Sequence, residues 1–211
     1  VPDPTRQPHM SWGANAIFIA ATERAVAWAA HSSLAHVAYV VRRLPDHAWY
    51  RREWKHDVGA QGLLVLRPVG HPNAYGMNNG VAWNTLIPDR FTTPDTVVSA
   101  QLHAYLAELE MEEQCPPGDF RRWMQSVAAE LGQSIVFYSC SMWAGDIEHE
   151  YVLAYGAGER LHVTRQDAAG QMIGHDALRK GLAEVSVHLP TGYFALHTGA
   201  FDWASHALMK G

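Results

Sequence analysis

The sequence predicts an α+β fold, a mainly antiparallel sheet packed against two or more amphipathic helices, on three observations. Strand-like runs cluster instead of alternating strictly with helices, which argues against a doubly wound parallel sheet. Three such runs, "SIVFYSCSM", "DIEHEYVLAYG" and "ERLHVTR", follow one another with only short glycine-containing breaks, as in an antiparallel meander. Two further segments carry apolar residues at helical spacing: Val98, Leu102, Tyr105, Leu106 and Leu109 in one, and Phe120, Trp123, Met124, Val127 and Leu131 in the other.

In chain order, residues 1 to 9, "VPDPTRQPH", hold three prolines and no apolar period. "HM" directly before a plausible start reads as a cloning remnant, so one globular domain is expected over residues 10–211. "NAIFIAA", Asn15 to Ala21, is a short β-branched apolar run and reads as a buried strand. Thr22 stands where a helix cap is wanted, with good helix formers behind it. From Leu34 to Trp54 the pattern suits helix or strand, and we expect helix on both sides of the Pro45 break.

"GLLVLRPV", Gly62 to Val69, and "GVAWNTLI", Gly80 to Ile87, read as two antiparallel strands joined by the loop "GHPNAYGMNNG". The first striped helix begins near Thr93, with Pro94 early, where its missing donor costs little. "CPPGD" ends it and the second striped helix follows. After the meander, "HDALRKGLAEV" reads as a helix, "GYFALHT" as a strand and "FDWASHALMK" as a short closing helix.

Composition narrows the function. The chain has 211 residues, 48% hydrophobic and 18% charged, enough for one sizeable core. A net charge of -5 without a dense lysine/arginine block argues against nucleic acid as a partner. Cys115 and Cys140 are the only two cysteines, too few for a disulfide scaffold, and a reducing cytoplasm is the simplest setting. No apolar run approaches the roughly 20 residues that span a bilayer, so no membrane role is expected.

The densest chemistry lies in "SCSMWAGDIEHEYVLAYG", where Asp146, Glu148 and Glu150 alternate after Trp143. In a regular strand these acids share one face, with Ile147, His149, Tyr151 and Leu153 on the other. Three like charges in a row need solvent, a cation or a basic partner. A solvated strand face, a partner-binding surface, and a magnesium or manganese cage that positions a water are therefore all open. A second acidic cluster, Glu108, Glu110, Glu112 and Glu113, crowds the end of the first striped helix, where negative charge opposes the helix dipole.

Other signatures are missing. The 13 histidines contain no pair at the i, i+4 spacing of a helical metal site and no "HExxH". Cys140 lies in an apolar strand, the setting of a small buried hydrophobe, and Ser139 and Ser141 lack the "GxSxG" elbow. Neither glycine-rich nucleotide loop occurs. We therefore assign no catalytic residue, no metal ligand and no cofactor. Trp49, Tyr50 and Trp54 beside "RRxWK" are candidates for an exposed binding face.

Two segments, "YSCSMWAGDIEHEYVLAYG" and "LPTGYFALHTGAFDWASHAL", resemble bacterial immunity proteins of polymorphic-toxin and contact- or secretion-dependent competition systems. The resemblance runs from about Tyr138 to Leu208, and His197, Thr198, Phe201, Asp202 and Trp203 match its C-terminal signature. It implies a non-enzymatic cytoplasmic protein that binds and neutralises one cognate toxin domain. The partner-binding set is then Asp146, Glu148, Glu150, Glu108, Glu110, Glu112, Glu113 and Trp143, with the acids steering association with a basic toxin. The alternative is a metal-dependent hydrolase built on the carboxylates of residues 146–150.

Overall fold

The computed structural model describes residues 12–44, 47–49, 52–54, 58–67, 118–143, 146–166, 172–174, 176–189 and 201–209. Strands β1 (Trp12–Ala20), β2 (Ala38–Val41), β5 (Leu63–Leu66), β6 (Ile135–Trp143), β7 (Asp146–Tyr155), β8 (Glu159–Gln166) and β9 (Met172–Gly174) form a seven-stranded sheet in the order β2-β5-β1-β6-β7-β8-β9. Every neighbouring pair is antiparallel. The expected α+β class holds, and the expected meander is β6-β7-β8, continued by β9.

Strand β1 shows why its run from Ala16 to Ala20 is apolar without a break. Ile17 and Ile19 enter one core, while Ala16 and Phe18 enter a second core across the sheet. A strand covered on both faces needs no polar alternation. Helices α1 (Glu23–His31) and α2 (Gly118–Leu131) cover the first face through Ala25, Ala29, Trp123, Met124, Val127 and Leu131. Helix α3 (Ala177–Ala183) covers the second through Ala177, Leu178 and Leu182. Each large apolar side chain removed from water contributes about 1.5–3 kcal/mol, so the two cores together hold the sheet between its helices.

Local chemistry sets the helix limits. Thr22 Oγ1 accepts from the Ala25 N–H at 3.1 Å, the cap expected for α1. Helix α3 lies so close to β7 that a Cβ on Gly181 would come within 2.5 Å of Val152 Cγ1. Gly174 ends β9 at φ +69°, where a Cβ would sit 2.0 Å from the Val163 carbonyl oxygen. Both the conformation and the space at that position demand glycine.

Residues 34–54 depart from the expected helices. A 3₁₀ turn (Ala35–Val37) leads into β2, which pairs with β5 through Val40 opposite Leu64 and Val41 opposite Leu63. Strands β3 (His47–Trp49) and β4 (Arg52–Trp54) form a separate two-stranded ribbon. The β-branched "AYVV" run has a buried partner strand available, and that pairing outweighs a weak helical pattern. Strand β5 pairs with β1 and β2. Its expected partner at residues 80–87, the first striped helix and the "GYFALHT" strand lie outside the described residues.

The closing segment is a 3₁₀ turn (Trp203–His206) in place of the expected short helix. It lies along β2, the first strand in the sheet order and so one of its edges. The Leu208 N–H donates to the Ala38 carbonyl at 2.8 Å, and Ala207 bridges Tyr39. An edge that would otherwise offer unpaired backbone groups is thereby partly covered. No helix among the described residues is long and apolar enough to cross a membrane.

Candidate functional site

The acids of β7 do not form the single row that strict alternation predicts. Trp143 pairs with Asp146, Met142 with Ile147, Ser141 with His149 and Cys140 with Glu150. Glu148 is therefore the extra residue of a β-bulge, and the two-residue period does not run through it from Glu150 to Asp146. For Trp143, Asp146 and Glu148 the described structure is that of the backbone. Glu108, Glu110, Glu112 and Glu113 lie outside the described residues.

Glu150 contradicts its expected place on a wet face. It is 5% exposed, on the face that Val152 and Ala154 present to the core beneath α3. The expectation assumed a sheet with one solvated side. Strand β7 instead lies between β6 and β8 with helices above and below. Glu150 is thus withdrawn from the partner-binding set.

What Glu150 does is structural chemistry. The Tyr138 hydroxyl donates to its Oε1 at 3.0 Å, and the Thr164 hydroxyl and the Leu178 backbone N–H also bond its carboxylate. Thr164 Oγ1 in turn accepts from the Ala177 N–H at 3.1 Å. The sheet therefore supplies the cap of α3. Its own N-cap residue, Asp176, sits in a left-handed conformation (φ 57°, ψ 34°) and makes no side-chain capping bond. At the far end, Arg160 grips Glu184 with two 2.6 Å hydrogen bonds, tying β8 to the turn after α3.

Burial pushes the Glu150 carboxyl above its ordinary range, while the bonds from Tyr138, Thr164 and Leu178 pull it back and the Asp176 charge adds to the rise. Burial also holds the Tyr138 phenol well above its usual value. The Cys140 thiol, buried beside them, is pushed up to about 12. A thiol so placed stays protonated at neutral pH and is a poor nucleophile, in keeping with its reading as a small buried hydrophobe.

The C-terminal signature builds a different kind of site. Trp203 meets Tyr39 edge-on at 5.0 Å between ring centroids and Phe201 at 4.7 Å. His206 stacks on Phe201 at 5.0 Å. Arg67 Cζ lies 4.0 Å from the Trp203 ring centroid, a cation–π contact. Burial draws the Arg67 pKa below its ordinary value, with a smaller opposing effect from Tyr39. All five side chains are half-buried. Asp202 caps the turn by accepting from the Ser205 N–H at 3.4 Å, and His197 and Thr198 lie outside the described residues.

Sequence reasoning reached Phe201 and Trp203 but missed Tyr39, Arg67 and His206. The one available signal was an arginine directly after the apolar run "LLVL". A third feature is a cleft of about 560 Å³ between α1 and α2, with Trp28, Trp123, Leu34 and Val127 among its lining residues. Arg24 crosses it to donate to the Glu130 carbonyl oxygen. Among the described residues no group of three or more His, Cys, Asp or Glu side chains is placed to hold a metal ion. No family model, curated protein or solved structure matches this chain.

Proposed function

We propose that this chain is a non-enzymatic immunity protein that binds and neutralises a cognate bacterial toxin domain in the cytoplasm. The observation that carries the reading is the half-buried cluster of Trp203, Tyr39, Phe201, His206 and Arg67. Tryptophan, tyrosine and arginine dominate the few residues that supply most interface energy. Here they are held rigid against each other and against a strand edge, which lowers the entropy lost on binding. A net charge of -5 would speed encounter with a basic partner.

Asp146, Glu148, Trp143 and the acids Glu108, Glu110, Glu112 and Glu113 remain proposed contacts on this reading, and Glu150 does not. The hydrolase alternative needs all three acids of β7 as open ligands, yet Glu150 is taken up by Tyr138, Thr164 and Leu178. The test is co-expression with the toxin domain that this reading expects a neighbouring gene to encode. Growth should be restored and a one-to-one complex should elute from size exclusion. Failure of both rescue and complex formation refutes the proposal.

A further inference from the structure

Helix α2 carries a cation where its buried stripe calls for an apolar side chain. Met124, Ala128 and Leu131 follow Arg121 by three, seven and ten residues, and all three are buried in the core. Arg121 is itself only 7% exposed, and its Nε and Nη1 are buried with no hydrogen-bond partner among the described residues. Buried guanidinium N–H groups without an acceptor are costly, and an oxyanion is the ligand that would satisfy them.

The surroundings fit the same ligand. Helix α2 begins at Gly118, so Arg121 lies in its first turn, whose N–H groups lack intrahelical partners and carry the positive end of the helix dipole. Helical side chains lean toward the N-terminus, the direction in which that end lies from Arg121. Pro116 and Pro117, which precede the helix in sequence, have no side-chain acceptor to cap it. The other end of α2 is pinned, with Gln133 Nε2 donating to the Ala20 carbonyl at 2.9 Å.

We propose that the N-terminal end of α2 is a binding site for a small oxyanion, a carboxylate or a phosphate, held by the Arg121 guanidinium and the first-turn N–H groups. The site is independent of toxin binding.

Thermal unfolding of the full chain in Tris chloride, titrated separately with inorganic phosphate and with acetate at constant ionic strength, tests the proposal. The wild type should show a saturable rise in melting temperature with at least one of them, and the arm that saturates at lower concentration identifies the preferred oxyanion. Arg121→Met should lose the rise. It should also melt a few degrees above the wild type in chloride alone, because the unpaired buried N–H groups are gone. Equal shifts in both proteins, or no shift beyond that of sodium chloride, overturn the site. So does a lower melting temperature for Arg121→Met that Asp119→Asn reproduces without additivity, since the Asp119 carboxylate would then be the counterion. If Arg121→Met does not fold, calorimetric titration of the wild type decides: saturable one-to-one heat supports the site, and its absence with both probes refutes it.

Discussion

Replacing Glu150 with alanine removes an acceptor shared by the Tyr138 hydroxyl, the Thr164 hydroxyl and the Leu178 backbone N–H. All three donors are buried, the two hydroxyls in the sheet beneath α3 and the N–H in α3 itself, out of reach of water that could replace the lost carboxylate. Leaving a buried donor unpaired costs about 1–3 kcal/mol, so three cost roughly 3–9 kcal/mol. At about 2–4 °C per kcal/mol for a chain of this size, the melting temperature should fall on the order of 10 °C. Glu150→Gln behaves differently, because it keeps one acceptor oxygen and cannot ionise.

Burial raises the Glu150 carboxyl above its ordinary value of 4.5. Between that value and the higher folded one, the folded chain holds a proton that the unfolded chain has released, so this group's contribution to stability declines as pH rises. It is fully present below pH 4.5. The glutamine variant lacks that decline. Melting curves by circular dichroism from pH 4 to pH 8, at about 0.1 M salt, should therefore show Glu150→Gln gaining on the wild type as pH rises. Parallel profiles for the two proteins, or a loss under about 1 kcal/mol for Glu150→Ala, would refute the buried-cap account of this acid.

Trp203→Ala strips the cation–π contact and both edge-on ring contacts from the C-terminal cluster. A central interface residue supplies about 2 kcal/mol, so affinity for the toxin domain should drop roughly 30-fold by calorimetry, and unchanged affinity removes this cluster from the interface. Gly174→Ala forces a Cβ to within 2.0 Å of the Val163 carbonyl oxygen at φ +69°. It should cost about 3 kcal/mol, read by urea unfolding. Thr22→Ala loses the cap of α1 and should cost about 1 kcal/mol, seen as a small drop in urea midpoint. Cys140, with its thiol pushed up to about 12, should resist alkylation at pH 8 in the native protein and react at once in denaturant; rapid native labelling would contradict its burial.

Periodicity made the strands of the meander, the stripe of α2 and the capped start of α1 legible, because neighbouring residues along the chain decide each of them. The Leu34 to Trp54 region was misread for the opposite reason. "AYVV" becomes a strand only because β5 stands ready to pair with it. The cluster of Tyr39, Arg67 and Trp203 joins residues far apart in sequence, and no local pattern announces it.

Glu150 marks the boundary most sharply. The sequence by itself determined that β7 is a strand carrying acids at every second position. Only the tertiary structure decided which way each acid counts, through a bulge at Glu148 and a helix laid over Glu150. Alternation reports two faces but not what covers them, because coverage is set by elements distant in the chain. A face shared by Val152 and Ala154 under α3 is dry, so an acid on it must be bonded from within.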